Sequence, residues 1–133
     1  MPQATPRAAG SIAGRAQFER TAARETAIHD LKWSKAEKAL SRRLFEQALH
    51  AELAETLADL KAKAAAASEP DDMWAIHELL GARRRDIDRK YDYRYSQLIF
   101  VFGVLLRESR IQESQLFGLS QDKQEMIKRF ASL

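Results

Sequence analysis

The sequence contains no cysteine, which excludes disulfide scaffolds, thiolate nucleophiles and cysteine metal sites. Residues that punctuate turns are scarce: there are five glycines and three prolines in 133 residues, and Pro2 and Pro6 fall at the very start. An all-β sandwich or barrel needs turn signals about every ten residues, so that class is excluded. The longest apolar stretch, 98–106, is interrupted by Gly103 and flanked by Arg94 and Arg107. It falls far short of the roughly 20 residues of a membrane span. Residues 1–31 hold no continuous apolar segment of the kind that opens a secretory signal. The three histidines, at 29, 50 and 77, lie in different segments and offer no metal-ligand spacing. Glycine-rich phosphate loops and nucleophile–base arrangements are missing as well. These absences predict a cytoplasmic protein with no metal, no cofactor and no side-chain catalysis.

What remains is a helical composition. Ala, Leu, Glu, Lys and Arg abound, and 22 basic against 19 acidic side chains leave a net charge of only +3. Residues 1–31, with Pro2, Pro6, Gly10 and Gly14 among scattered small residues, read as a flexible extension. Order begins with a capping box, Ser34 followed by Glu37, in which each side chain reaches the other's backbone N–H. An uninterrupted helical pattern then runs to about Ala67, with Leu40, Leu44, Leu49, Leu53, Leu57 and Leu60 on one stripe. A rod about 50 Å long cannot bury such a stripe within a chain this size, so a second copy of the chain is expected against it.

Pro70 breaks the pattern, and Asp71 and Asp72 suit the positive end of a following helix. The short connection predicts an antiparallel helical hairpin. In the second helix Met73, His77, Leu80, Arg84, Ile87, Tyr91, Arg94 and Leu98 step by four and three as an inward heptad seam. A kink or restart is expected over 92–95, the best-buried helix over 97–107, and a last helix capped by Ser120 that packs through Met126, Ile127 and Phe130. The basic run Arg83, Arg84 and Arg85 is interleaved with Asp86, Asp88 and Asp92, so intrahelical ion pairs are expected in place of a nucleic-acid track. Trp74, His77 and Glu78 share one helical surface that Arg84 extends, and Trp and Arg are the residue types that dominate protein-binding hot spots. On the residues alone, plain helix packing is the slightly better reading of this surface.

Longer stretches carry a resemblance. WSKAE (33–37), WAIHELLGARR (74–84), DIDRKYDYRYS (86–96), IFVF (99–102) and DKQ (122–124) resemble the signature of the fluorescence recovery protein family, with likeness running over 33–133. The resemblance implies an all-α protein in which a long antiparallel hairpin (32–91) forms a homodimer and residues 92–133 form a small C-terminal helical head. From the leucine stripe and the seam, Leu53, Leu57, Leu60 and Met73 are the residues expected in that dimer interface. The resemblance also implies binding to the photoactivated orange carotenoid protein, or a related carotenoid-binding protein, and acceleration of its return to the resting form. The activity-linked residues match Trp74, His77, Glu78 and Arg84, with Phe100 as a contact of the head. Two positions depart from the family pattern: Glu78 stands where aspartate is usual, and Met126 where a lysine of the last helix falls. A helical dimeric scaffold or regulator of an unrelated protein, in a bacterium without phycobilisomes, is the alternative.

Overall fold

Helix starts and stops are dictated locally. At Ser34 the hydroxyl accepts the Glu37 N–H at 3.1 Å while the Glu37 carboxylate accepts the Ser34 N–H at 2.9 Å. This capping box launches α1, Lys35–Ala66, a rod of 32 residues and about 48 Å. At the far end the Asp72 carboxylate accepts the N–H groups of Ser68 and Glu69 at 2.9 and 3.0 Å, closing the turn. With Pro70 at its first position, α2 follows as Pro70–Lys90. The structure, a computed structural model, describes Ile28 and residues 30–133. The expected flexible extension therefore lies, but for Ile28, Asp30 and Leu31, outside the described residues.

The expected restart is a full break. The helix ends at Lys90, and after a short non-helical link α3 spans Leu98–Arg107. The heptad seam consequently does not continue through Tyr91, Arg94 and Leu98 on one helix. The physical reason lies in the link itself, where Tyr91 and Tyr93 meet the Phe45 ring edge-on at 5.4 and 4.9 Å, and Tyr95 packs on Tyr93 and Trp33. The link turns tightly, with the Arg94 N–H donating to Asp92 O at 3.0 Å and the Gln97 N–H to Arg94 O at 2.7 Å, and the three tyrosines stack ring on ring beside α1. Cations cover the rings: the Arg42 guanidinium lies 3.7 Å from the Tyr93 centroid and Lys38 Nζ 5.2 Å from that of Tyr95.

A 3₁₀ turn, Glu113–Leu116, then leads to α4, Gln121–Ala131, capped by Ser120 as expected. Leu98, Ile99, Phe102 and Leu105 of α3, Leu116, Leu119 and Ile127 are buried together with Leu44, Phe45 and Ala48 of α1. The first half of α1 thus shares one core with α3 and α4. Gly103 lets α3 and α4 approach: a Cβ there would stand 2.5 Å from Cδ1 of Phe130. All described elements are helical, and no helix among the described residues is long and apolar enough to cross a membrane.

Candidate functional site

The α1 stripe divides at mid-helix. Leu44 is buried in the core shared with α3 and α4, whereas Leu53 and Leu57 are 47% and 50% exposed. The partner helix α2 is equally uncovered, with Met73 59% and Trp74 63% exposed. Within the chain α2 turns Asp72, Ile76 and Leu79 toward α1, where they line a cleft with Lys63, Ala66 and Ala67. One turn further along, the Arg83 guanidinium donates to Asp59 at 3.0 Å and to the Thr56 hydroxyl at 3.4 Å.

One residue later in sequence, a rotation of about 100° on either helix, come Leu53, Leu57 and Leu60 on α1 and Met73, His77, Leu80 and Arg84 on α2. Because the helices run antiparallel, equal forward steps turn both sets to the same side of the hairpin. The expected α2 seam therefore faces that side and not α1; only Ile87, toward the end of the helix, is buried. Trp74 and Glu78 lie about 200° from the inward face, on the back of α2, and both are exposed. His77 sits between the two surfaces and is exposed too. The side chain of Arg84 is 85% exposed, and its ion-pair partner is Asp88 at 3.8 Å, one turn on. Phe100 belongs to the head, half-buried, with its ring edge-on to Phe130 at 5.0 Å. Trp74, His77, Glu78 and Arg84 thus occupy adjoining parts of one helix surface, with Phe100 on a different element. The basic run behaves as read, with Arg84–Asp88 and Arg89–Asp86 pairing within the helix, except that Arg83 is committed to α1.

Two polar clusters carry no sequence signal, because their members are far apart in the chain. Buried Glu37, besides capping α1, accepts the Ser120 N–H at 2.8 Å and pairs with Lys123 Nζ at 3.1 Å. Burial opposes its ionisation, but the N–H groups of Ser34 and Ser120 and the Lys123 ammonium together hold its carboxyl below the ordinary range. The second cluster gathers α1, the end of α2 and the turn after α3. Lys90 Nζ lies 2.7 Å from Glu52 and 2.8 Å from Glu108. The Tyr91 hydroxyl donates to Glu52 at 2.8 Å, and Arg110 reaches Glu52 and Glu108 at 3.2 Å and Glu55 at 2.5 Å. Burial and the Glu52 carboxylate both push the Tyr91 phenol up, while Glu52, despite its own burial, is held low by Lys90 and Tyr91.

The turn that delivers Glu108 and Arg110 is a Schellman motif: Arg110 N–H donates to Leu105 O at 2.8 Å and Ser109 N–H to Leu106 O at 3.0 Å. Ser109 takes the left-handed position, with φ 62°, that glycine usually fills. Strain of about 1 kcal/mol or more is thereby held at this corner.

An uncovered helix surface bearing Trp, His and Arg, beside an apolar side made by two antiparallel helices, is what a helical protein-docking module presents. The comparisons with known proteins agree with that class. The profile of the family described as photoprotection regulator fluorescence recovery protein matches residues 33–131, and the chain belongs to that family. It is 44% identical over 101 residues to the fluorescence recovery protein of Synechocystis sp. PCC 6803, covering 76% of this chain and 93% of that one. The solved structure of the Synechocystis protein superposes with a TM-score of 0.73 at 43% identity, over 77% of this chain and all of the other. The structure of the Fremyella diplosiphon fluorescence recovery protein also gives 0.73, at 35% identity and the same coverage of this chain.

Proposed function

We propose that the chain acts in the cytoplasm as a homodimer that binds the photoactivated orange carotenoid protein and accelerates its return to the resting form. In this reading residues 32–91 dimerise and 92–133 are the head. Leu53, Leu57, Leu60 and Met73 are interface residues, and Trp74, His77, Glu78, Arg84 and Phe100 meet the partner. Acceleration requires only that the barrier state of the partner be bound more tightly than its photoactivated state, with no bond chemistry.

The observation that carries the reading is the exposure of Arg84. A planar, always-charged donor fork stands 85% open, held by nothing stronger than an exposed pair at 3.8 Å. It can give that pair up for a carboxylate on a partner at little cost. Membership of a family of photoprotection regulators supports the same conclusion.

The test uses purified protein mixed with a photoactivated cyanobacterial orange carotenoid protein, following the red-to-orange relaxation. The unsubstituted protein accelerates relaxation, and Arg84→Leu reduces that acceleration about tenfold, the equivalent of one good contact. Because Arg84 is exposed, its replacement changes folding stability by less than about 1 kcal/mol. No acceleration by the unsubstituted protein would sink the reading.

A further inference from the structure

Helix α2 carries the exposed surface, yet apolar packing holds it weakly within the chain. Ile87 is its one buried residue, whereas α3, α4 and the first half of α1 share a continuous apolar core. What fastens α2 is polar and concentrated at its last turn. Lys90 sits between the carboxylates of Glu52 and Glu108, so one ammonium links α2 to α1 and to the far end of α3. The Lys90 and Glu52 side chains are only 17% and 16% exposed. That shielding sets this pair apart from the exposed pairs elsewhere on α2, whose contribution solvent and salt largely cancel.

We infer that Lys90 is a positioning residue: bridging Glu52 and Glu108, it fixes the exposed surface of α2 relative to Phe100 in the head. The link 91–97 joins α2 to the start of α3, and the Glu108–Arg110 corner lies at the end of α3. A helix attached through both of its ends cannot swivel about either. Without the Lys90 bridge, α2 retains Arg83–Asp59 and the Tyr91–Glu52 hydrogen bond and loses its hold on Glu108. A partner that touches both α2 and the head would then have to order the two pieces itself, at the expense of affinity. The part of this inference that concerns the partner rests on the proposed function; the part that concerns α2 does not.

The test compares Lys90→Met, which keeps the apolar stem, with Lys90→Arg, which restores a cation. Amide hydrogen exchange of the protein as purified is followed over residues 84–97 and over α3. Lys90→Met is expected to speed exchange of 84–97 at least roughly tenfold while α3 stays protected, and to reduce acceleration of carotenoid-protein relaxation; Lys90→Arg recovers most of both. Glu108→Gln, which removes the bridge's second carboxylate and leaves Lys90 in place, is expected to do the same to exchange over 84–97, which keeps the test open should Lys90→Met fold poorly. Unchanged exchange over 84–97, in Lys90→Met or in Glu108→Gln, overturns the inference. So does faster exchange with undiminished acceleration. If the unsubstituted protein does not accelerate relaxation at all, the proposed function falls, and the exchange data alone decide whether Lys90 holds α2.

Discussion

Glu37 illustrates how much one side chain can be asked to do. Its two oxygens serve the N–H of Ser34 ahead of α1, the N–H of Ser120 ahead of α4, and the Lys123 ammonium, which itself lies 4.9 Å from the Trp33 ring centroid. Removing the charge and keeping the shape, as in Glu37→Gln, weakens the charge-assisted hydrogen bonds from Ser34, Ser120 and Lys123 together and should cost about 2 kcal/mol in thermal or urea unfolding. The pH dependence follows from the direction of the shift. The carboxyl is held below its ordinary value of 4.5 in the folded state, so its contribution is complete above that value and is lost as pH falls through the folded-state value. Melting temperatures of the native protein should therefore drop below about pH 4.5. In Glu37→Gln that drop should be visibly shallower, with Glu52 still contributing in the same direction. An equally steep drop in both proteins would remove Glu37 from this role.

At the scale of helices, the sequence was a good guide wherever the controlling signal is local. The capping box at Ser34 and Glu37, Pro70 at the start of α2 and Ser120 before α4 each act within one turn, and each helix starts within a residue of where these signals put it. The face that α2 turns to its own chain was not legible. Met73, His77, Leu80 and Arg84 repeat with the same spacing as Asp72, Ile76, Leu79 and Arg83, and periodicity alone cannot say which row meets α1. The Glu52–Lys90–Arg110 cluster was invisible for a related reason: ion pairs between distant segments leave no spacing to read. The close crossing of α3 and α4 falls in the same category. Gly103 reads in the sequence as an interruption of an apolar run, but it is the point where Phe130 fits. Gly103→Ala would put a methyl 2.5 Å from Cδ1 and 3.1 Å from Cβ of that residue, and the Cβ cannot rotate away. Overpacking of this kind should cost about 1–3 kcal/mol and lower Tm by at least about 4 °C. An unaltered Tm would mean that α4 shifts freely on α3.

For the molecule as a whole, the unbalanced distribution of its apolar surface is decisive. One end of α1 is built into a core, and the other, with the start of α2, displays Leu53, Leu57 and Met73 on one side of the hairpin. An antiparallel pair of helices presenting a single apolar side suits a two-fold contact with a copy of itself, in which the same patch serves both partners. Leu57→Glu should then convert the proposed dimer to monomers by light scattering while far-UV circular dichroism stays helical, because Leu57 contributes little to the core of its own chain. A mass unchanged by this substitution would assign the exposed side to something other than self-association.

The reach of Glu37 has one more consequence, for the order in which the protein can be made. Its contacts with Ser120 and Lys123 span 83 and 86 residues, nearly the whole of the described chain. During synthesis α1 and α2 leave the ribosome long before α4 exists, so Leu44, Phe45 and Ala48 wait uncovered for the helices that will bury them. The contacts of Glu37 with Ser120 and Lys123 can form only after the last helix has emerged and reached back to the first capping box.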